Sequence, residues 1–225
     1  MIEVAVTRLP DNATFEDASL LETLSVVFHA CRRGNVQMGQ RILVLGEGTI
    51  GILCMMTVKA MGAAQVANTD LDSAQLVAKK LGADHTTCVK NLLVNKVRET
   101  VIDCLTEPDV TIECTREQSC VEAAIFCIDH DKTYRKNIVP TFQTTVSGEV
   151  VVLVGLGKQK VRVSLTEACI REVDIRGVFR YANWYVVTIT SRNYCINFRF
   201  CYSNALNLIA SEKLYLSTLT QAHYE

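Results

Sequence analysis

The chain has 225 residues, of which 49% are hydrophobic and 21% charged, with a formal net charge of -1. That is enough apolar material for a sizeable core, in one large or two small domains. The balanced charge excludes the basic footprint of nucleic-acid or anionic-membrane binding, so the expected partner is a small molecule, with neither nucleic acid nor membrane.

In chain order, Phe15 to Arg33 reads as a helix, with Leu20, Leu21, Leu24, Val27, Phe28 and Cys31 at near-helical spacing and Gly34 as its stop. From Arg41 short β-branched runs alternate with longer helical ones. The predicted strands are Arg41–Gly46, Gln65–Asp70, His85–Lys90, Val110–Thr115, Val150–Gly155 and Asp174–Arg180. The predicted helices between them are Thr49–Met61, Ser73–Leu81, Leu93–Leu105, Gln118–Cys127 and Leu165–Arg171. Near-continuous apolar strands suit a sheet covered on both faces, and the βαβα series predicts an α/β fold with a doubly wound parallel sheet. Two stretches break this rhythm: Asp131 to Val146, which contains Pro140, and Tyr185 to Ser203, whose aromatic and β-branched content predicts strands outside the main pattern.

The opening MIEVAVTR lacks the apolar core of a signal peptide. The apolar run Ile42 to Ala60 is broken by Glu47, Gly48, Gly51 and Lys59 and reads as strand, turn and helix rather than a membrane span. Ten cysteines form no C-x-x-C pair. His85 with Cys88 and Cys127 with His130 have a two-residue gap, but neither has a second pair to complete four zinc ligands. Reduced thiols in a cytoplasmic protein are expected, with Cys54, Cys88 and Cys114 serving as small hydrophobes in apolar runs.

The chemistry-bearing motif is Gly46-Glu47-Gly48-Thr49-Ile50-Gly51, a G-x-G-x-x-G between a predicted strand and a predicted helix. In that setting Gly46 permits the tight turn, Gly48 lets backbone approach a pyrophosphate, and Gly51 lets helix and strand pack closely. The amides at the helix start then face the phosphates. Asp70 ends the next predicted strand about 20 residues on, where a carboxylate takes the ribose hydroxyls of NAD and repels the 2′-phosphate of NADP. Glu47 is at odds with phosphate binding; a solvent-facing side chain is the reading that spares the site, at some loss of affinity.

The stretches LPDNATFEDASLLE, HACRRG, RILVLGEGTIGIL, VKAMGAAQV, TDLDSAQL, KLGAD, TIECT, LVGLG and CIREVDIRGVFRY, in that order, resemble the sorbitol (polyol) dehydrogenases of the zinc-containing medium-chain superfamily. The resemblance implies a Rossmann NAD-binding domain with remnants of a GroES-like catalytic domain. It also implies oxidation of a polyol secondary alcohol to a ketone by zinc-assisted hydride transfer to NAD. By resemblance, Glu22 is the glutamate at the catalytic zinc or its water, although Thr23 stands where the family has proline. Gly46, Gly48, Thr49, Ile50, Gly51 and Asp70 correspond to cofactor contacts, and Gln75 stands where the family commonly has arginine near the adenosine. Val154, Gly155 and Leu156, with Val178, Phe179 and Arg180, correspond to strand ends on the nicotinamide side. Arg180 and Tyr181 correspond to residues that bind substrate or order the zinc-site water. Arg116 replaces a glycine that the family keeps close to the cofactor ribose.

The resemblance also implies a division into 1–33 (catalytic-domain remnant and linking helix), 34–184 (NAD domain, with an insertion at 131–147), 185–203 (atypical insertion) and 204–225 (end of the NAD domain and return strand). The family's remaining zinc ligands lie in a region upstream of Leu9. His29, His85, His130 and His223 are scattered outside any G-H-E setting, so zinc retention and turnover by this chain alone are not expected. Two alternatives stand beside the dehydrogenase reading: a non-enzymatic NAD-binding module that pairs with a second copy through the sheet edge near Asp174–Phe179, and a pseudogene-like fragment.

Overall fold

A computed structural model describes residues 9–70, 75–106, 108–115, 117–127, 149–157, 160–163, 165–170, 172–180, 186–190, 193–197, 201–211, 213, 214 and 216. The expectations for Arg116, Tyr181 and the 131–147 insertion fall outside these residues.

The chain enters through two helices, α1 (Phe15–Ser19) and α2 (Leu21–Arg33), where the sequence predicts one. The break has a local cause. Thr14 caps α1 in a reciprocal box: its hydroxyl accepts from the Asp17 N–H at 3.1 Å, and Asp17 Oδ2 accepts from the Thr14 N–H at 2.9 Å. Leu20 then closes α1 with a three-residue turn onto the Asp17 carbonyl and serves as N-cap of α2. At the far end α2 stops at Gly34, as predicted, but Gly34 keeps right-handed φ and the left-handed residue is Asn35, at φ 51. Gly34 is needed instead for space, since a Cβ there would stand 3.1 Å from both Val110 Cγ1 and Val152 Cγ2.

Six strands follow: β1 (Arg41–Leu45), β2 (Gln65–Asp70), β3 (His85–Cys88), β4 (Val110–Glu113), β5 (Val150–Leu153) and β6 (Asp174–Gly177). They form one parallel sheet in the order β3-β2-β1-β4-β5-β6. Helices α3 (Thr49–Ala60), α4 (Gln75–Lys80), α5 (Val94–Leu105), α6 (Gln118–Cys127) and α7 (Leu165–Ile170) alternate with them. This is the predicted doubly wound α/β fold. Strands β1 and β3 to β6 stop one to three residues short of the predicted ends. Beyond Gly177 the chain leaves the ladder and Arg180 turns to φ 52.

Alternate residues of each strand point to opposite faces, so one sheet carries two cores. Ile42, Val44, Ile112 and Val152 face α2 and α3, whereas Leu43, Leu45, Ala67 and Val151 face α5 and α6 through Val97, Val101, Leu105, Ala123 and Ala124. Full burial of each large aliphatic side chain contributes about 1.5–3 kcal/mol. Helix α3 is buried on every side from Gly51 to Val58, lying between the sheet and α2. Cys54 is a buried hydrophobe as expected; Cys88 is not, because it ends the edge strand β3 and is exposed.

Two elements lie beyond the sheet. The aromatic stretch forms an antiparallel hairpin, β7 (Val186–Thr190) with β8 (Asn193–Asn197), separate from the six strands, as its composition suggests. Helix α8 (Cys201–Ala210) was not predicted. Its buried Ala205 and Ile209 join Leu24 and Val27 of α2 in the first core, and the Asn12 side chain donates to the Ala210 carbonyl at 3.1 Å. Among the described residues no helix is long and apolar enough to cross a membrane.

Candidate functional site

Strand order reverses between β1 and β4, the place where an open α/β sheet leaves a crevice at its carboxyl ends. Because all six strands are parallel, the residues that follow β1, β2, β4, β5 and β6 share this edge, and every candidate cofactor residue beyond α2 falls on it.

The turn after β1 is built by its glycines. Gly46 adopts φ +104, which side-chain-bearing residues rarely take, and its N–H donates to the Thr69 carbonyl at 2.7 Å. A Cβ on Gly51 would stand 2.0 Å from the Gly46 carbonyl oxygen, so α3 touches the turn backbone to backbone. Gly48 is the N-cap of α3 and is exposed, with nothing within 4 Å of where a Cβ would lie. Thr49 and Ile50 open the helix, Ile50 packed on the first core. The amides at this helix start, which α3 presents at its amino end, and the open space over Gly48 suit a diphosphate group. The described backbone therefore fits the pyrophosphate of NAD.

Asp70 ends β2 beside this turn, its Oδ2 accepting from the Glu47 N–H at 2.6 Å. Gln75 is the first residue of α4. On the other side of the switch point, Val154 and Gly155 follow β5 with both N–H groups donating to the Glu113 carbonyl, at 2.8 and 3.1 Å. A Cβ on Gly155 would fall 1.4 Å from the Thr115 carbonyl oxygen, so only glycine fits there. Leu156 and Phe179 are exposed and Val178 is buried. The Arg180 guanidinium lies over the Phe179 ring, 5.7 Å from its centroid. Val154, Gly155 and Leu156 follow β5, and Val178, Phe179 and Arg180 follow β6, rather than end these strands, correcting their predicted places.

Glu47 overturns one expectation. It does not face solvent: it is 4% exposed, and neither carboxyl oxygen has a hydrogen-bond partner among the described residues. Burial first, and then the neighbouring Asp70, push its carboxyl up to about 7.

Glu113 is a second buried acid that sequence reasoning passed over. It is the last residue of β4 and accepts from the Thr115 N–H at 2.7 Å and from the Thr115 hydroxyl. Burial raises its pKa, and those two bonds oppose the rise. It ties the exits of β4 and β5 together. The signal was present as one charge in the otherwise apolar run VTIEC.

The expected zinc residue is not joined to this edge by a donor set. Glu22 lies exposed in the first turn of α2. His29 is buried farther along the same helix, and His85 begins the edge strand β3. Among the described residues no three His, Cys, Asp or Glu side chains are grouped to hold a metal ion, so they do not fit a catalytic zinc, which takes three protein ligands.

No family model matches the chain. It is 42% identical over 187 residues to the sorbitol dehydrogenase of Gallus gallus and 43% identical over 187 residues to that of Homo sapiens, in each case over 81% of this chain and 47% of the relative. The chain thus spans about half the length of the curated relatives it matches. Among solved structures, L-idonate 5-dehydrogenase from Escherichia coli superposes with a TM-score of 0.70 at 20% identity, covering 95% of this chain and 51% of that one. At that identity the likeness speaks to the fold.

Proposed function

We propose that the chain is a member of the sorbitol dehydrogenase family, which its 42–43% identity to the Gallus gallus and Homo sapiens sorbitol dehydrogenases over 81% of its length supports, and that it holds NAD across the carboxyl edge of its sheet, in the manner of an NAD-dependent polyol dehydrogenase. The observation that carries this reading is the Gly46–Gly51 turn at the switch point, with exposed Gly48 capping α3 and Asp70 at its side. Amides of Gly48, Thr49 and Ile50 would meet the diphosphate, and Asp70 would accept from the ribose hydroxyls. Val154, Gly155, Leu156, Val178, Phe179 and Arg180 would border the nicotinamide end. When bound, NAD supplies the acceptor for hydride from a secondary alcohol.

The dispersal of Glu22, His29 and His85 supports a binding role for this chain without turnover of its own. A homo-oligomeric contact would use the edge strand β6, where Ile175 and the following Phe179 are exposed. The test is titration of the purified chain with NADH by fluorescence, repeated on Asp70→Ala. Saturable binding that Asp70→Ala weakens by at least about tenfold supports the reading. Unaltered binding in Asp70→Ala refutes it.

A further inference from the structure

Glu47 stands between Gly46, at φ +104, and Gly48, the N-cap of α3. Its side chain is buried with both carboxyl oxygens unpartnered among the described residues, while its own N–H is bonded to Asp70 Oδ2 at 2.6 Å. The phosphate turn thus has a second acid directly behind the one that faces the ribose. An ionised carboxylate without a partner is strongly disfavoured in such a place. The charged neighbour acting on it is Asp70, from β2. From β4, Glu113 is turned onto Thr115. Within its own turn the opposing influence is the positive amino end of α3.

We propose that Glu47 is a positioning residue that acts on the cofactor through Asp70, so that its neutral form admits NAD and its ionised form opposes it. The proposal rests on the reading of this turn as an NAD site. Neutral Glu47 leaves Asp70 as the acceptor for the ribose hydroxyls. Ionised Glu47 sets a second negative charge against Asp70 and beneath the diphosphate. Its oxygens are too enclosed to touch the ligand, so the effect is electrostatic and is transmitted at the Glu47–Asp70 contact. The carboxyl titrates at about 7, so the charge changes within the neutral range. Two incoming phosphate charges oppose ionisation further, and binding above neutral pH takes up one proton at the Glu47 carboxyl. Affinity for NADH then falls as pH rises, approaching about tenfold per pH unit once Glu47 is ionised in the free chain.

The experiment measures NADH binding to the full chain between pH 6 and 9, for wild type, Glu47→Gln and Glu47→Ala. Calorimetry in two buffers of different ionisation enthalpy counts the protons. The expected result is a wild-type Kd that rises at least about tenfold across this range, with uptake of about one proton at pH 8. Both variants, lacking the titrating group, should show a much flatter profile and no uptake; the alanine change serves if the buried amide strains the turn. A wild-type profile that is flat, or that runs parallel to both variants, overturns the proposal while leaving the NAD site intact. Failure of folded wild type to bind NADH at any pH overturns the site and this proposal together.

Discussion

The Glu47 N–H donates to Asp70 Oδ2 at 2.6 Å, which fixes the Asp70 carboxylate to the backbone of the Gly46–Gly51 turn. The Glu47 side chain beside that bond is itself enclosed, with 4% exposure and no partner among the described residues. The turn therefore has one acid bonded to its backbone and a second enclosed within it, and several measurable consequences come from that arrangement and its surroundings.

Burial raises the Glu47 pKa from 4.5 to about 7, so the folded chain holds this proton more tightly than the unfolded chain. Glu47 is harmless to stability below its unfolded pKa and increasingly destabilising as pH climbs from there to about 7. The full contribution is up to about 3 kcal/mol. Urea unfolding of wild type and Glu47→Gln at pH 4.5 and pH 8 should show wild type losing ground to the variant at the higher pH. Equal losses in the two proteins would show that Glu47 does not titrate between folded and unfolded states as the structure requires.

His29 acts at the acid end. Burial, with Arg32 and then Arg33 adding to it, lowers its pKa from 6.5. Its contribution to stability is complete above that value and is lost as pH falls through the depressed folded pKa. His29→Gln is expected to flatten the acid limb of the stability profile without changing the alkaline limb. An unchanged acid limb would assign acid unfolding to other groups.

The glycines of the site divide into two kinds. Ala at Gly51 or Gly155 brings a Cβ to 2.0 or 1.4 Å from a carbonyl oxygen, and the backbone must shift. Losses of about 1–3 kcal/mol or more are expected in thermal unfolding. Gly48→Ala meets nothing within 4 Å and keeps an ordinary φ of -66. It should melt like wild type yet bind NADH more weakly, because the added methyl occupies the approach to the diphosphate. A Gly48→Ala protein with normal NADH affinity would remove Gly48 from the site.

Metal analysis tests the dispersal of Glu22, His29 and His85. The purified chain is expected to carry zinc well below one equivalent and to show no sorbitol oxidation when zinc and NAD are supplied. One tightly held zinc that Glu22→Ala releases would show that the donors assemble after all.

Much of this architecture is legible in the sequence because its signals are local. Helices Leu21–Arg33 and Val94–Leu105 carry their period in their own residues, and runs such as RILVL announce strands buried on both faces. The Gly46–Gly51 turn is legible because backbone geometry itself demands glycine at φ +104 and at the contact of Gly51 with Gly46. What escaped depends on distant parts of the chain. A glutamate between two glycines reads as exposed, and its burial depends on the fold around the turn, to which β2 brings Asp70 from 23 residues away in sequence. Cys88 reads as a core residue in its run, but β3 lies at the sheet edge. The spacing of Cys201, Ala205 and Ile209 is helical, yet α8 was obscured by the β-rich stretch before it, and its apolar face makes sense only against α2.

The most direct test is a crystal structure of this chain grown with NADH. The diphosphate should rest on the amides that open α3, above Gly48, with the adenosine ribose hydroxyls on the Asp70 carboxylate. Density for the nucleotide elsewhere on the molecule, or a Gly46–Gly51 turn closed over by its own side chains, would contradict the account.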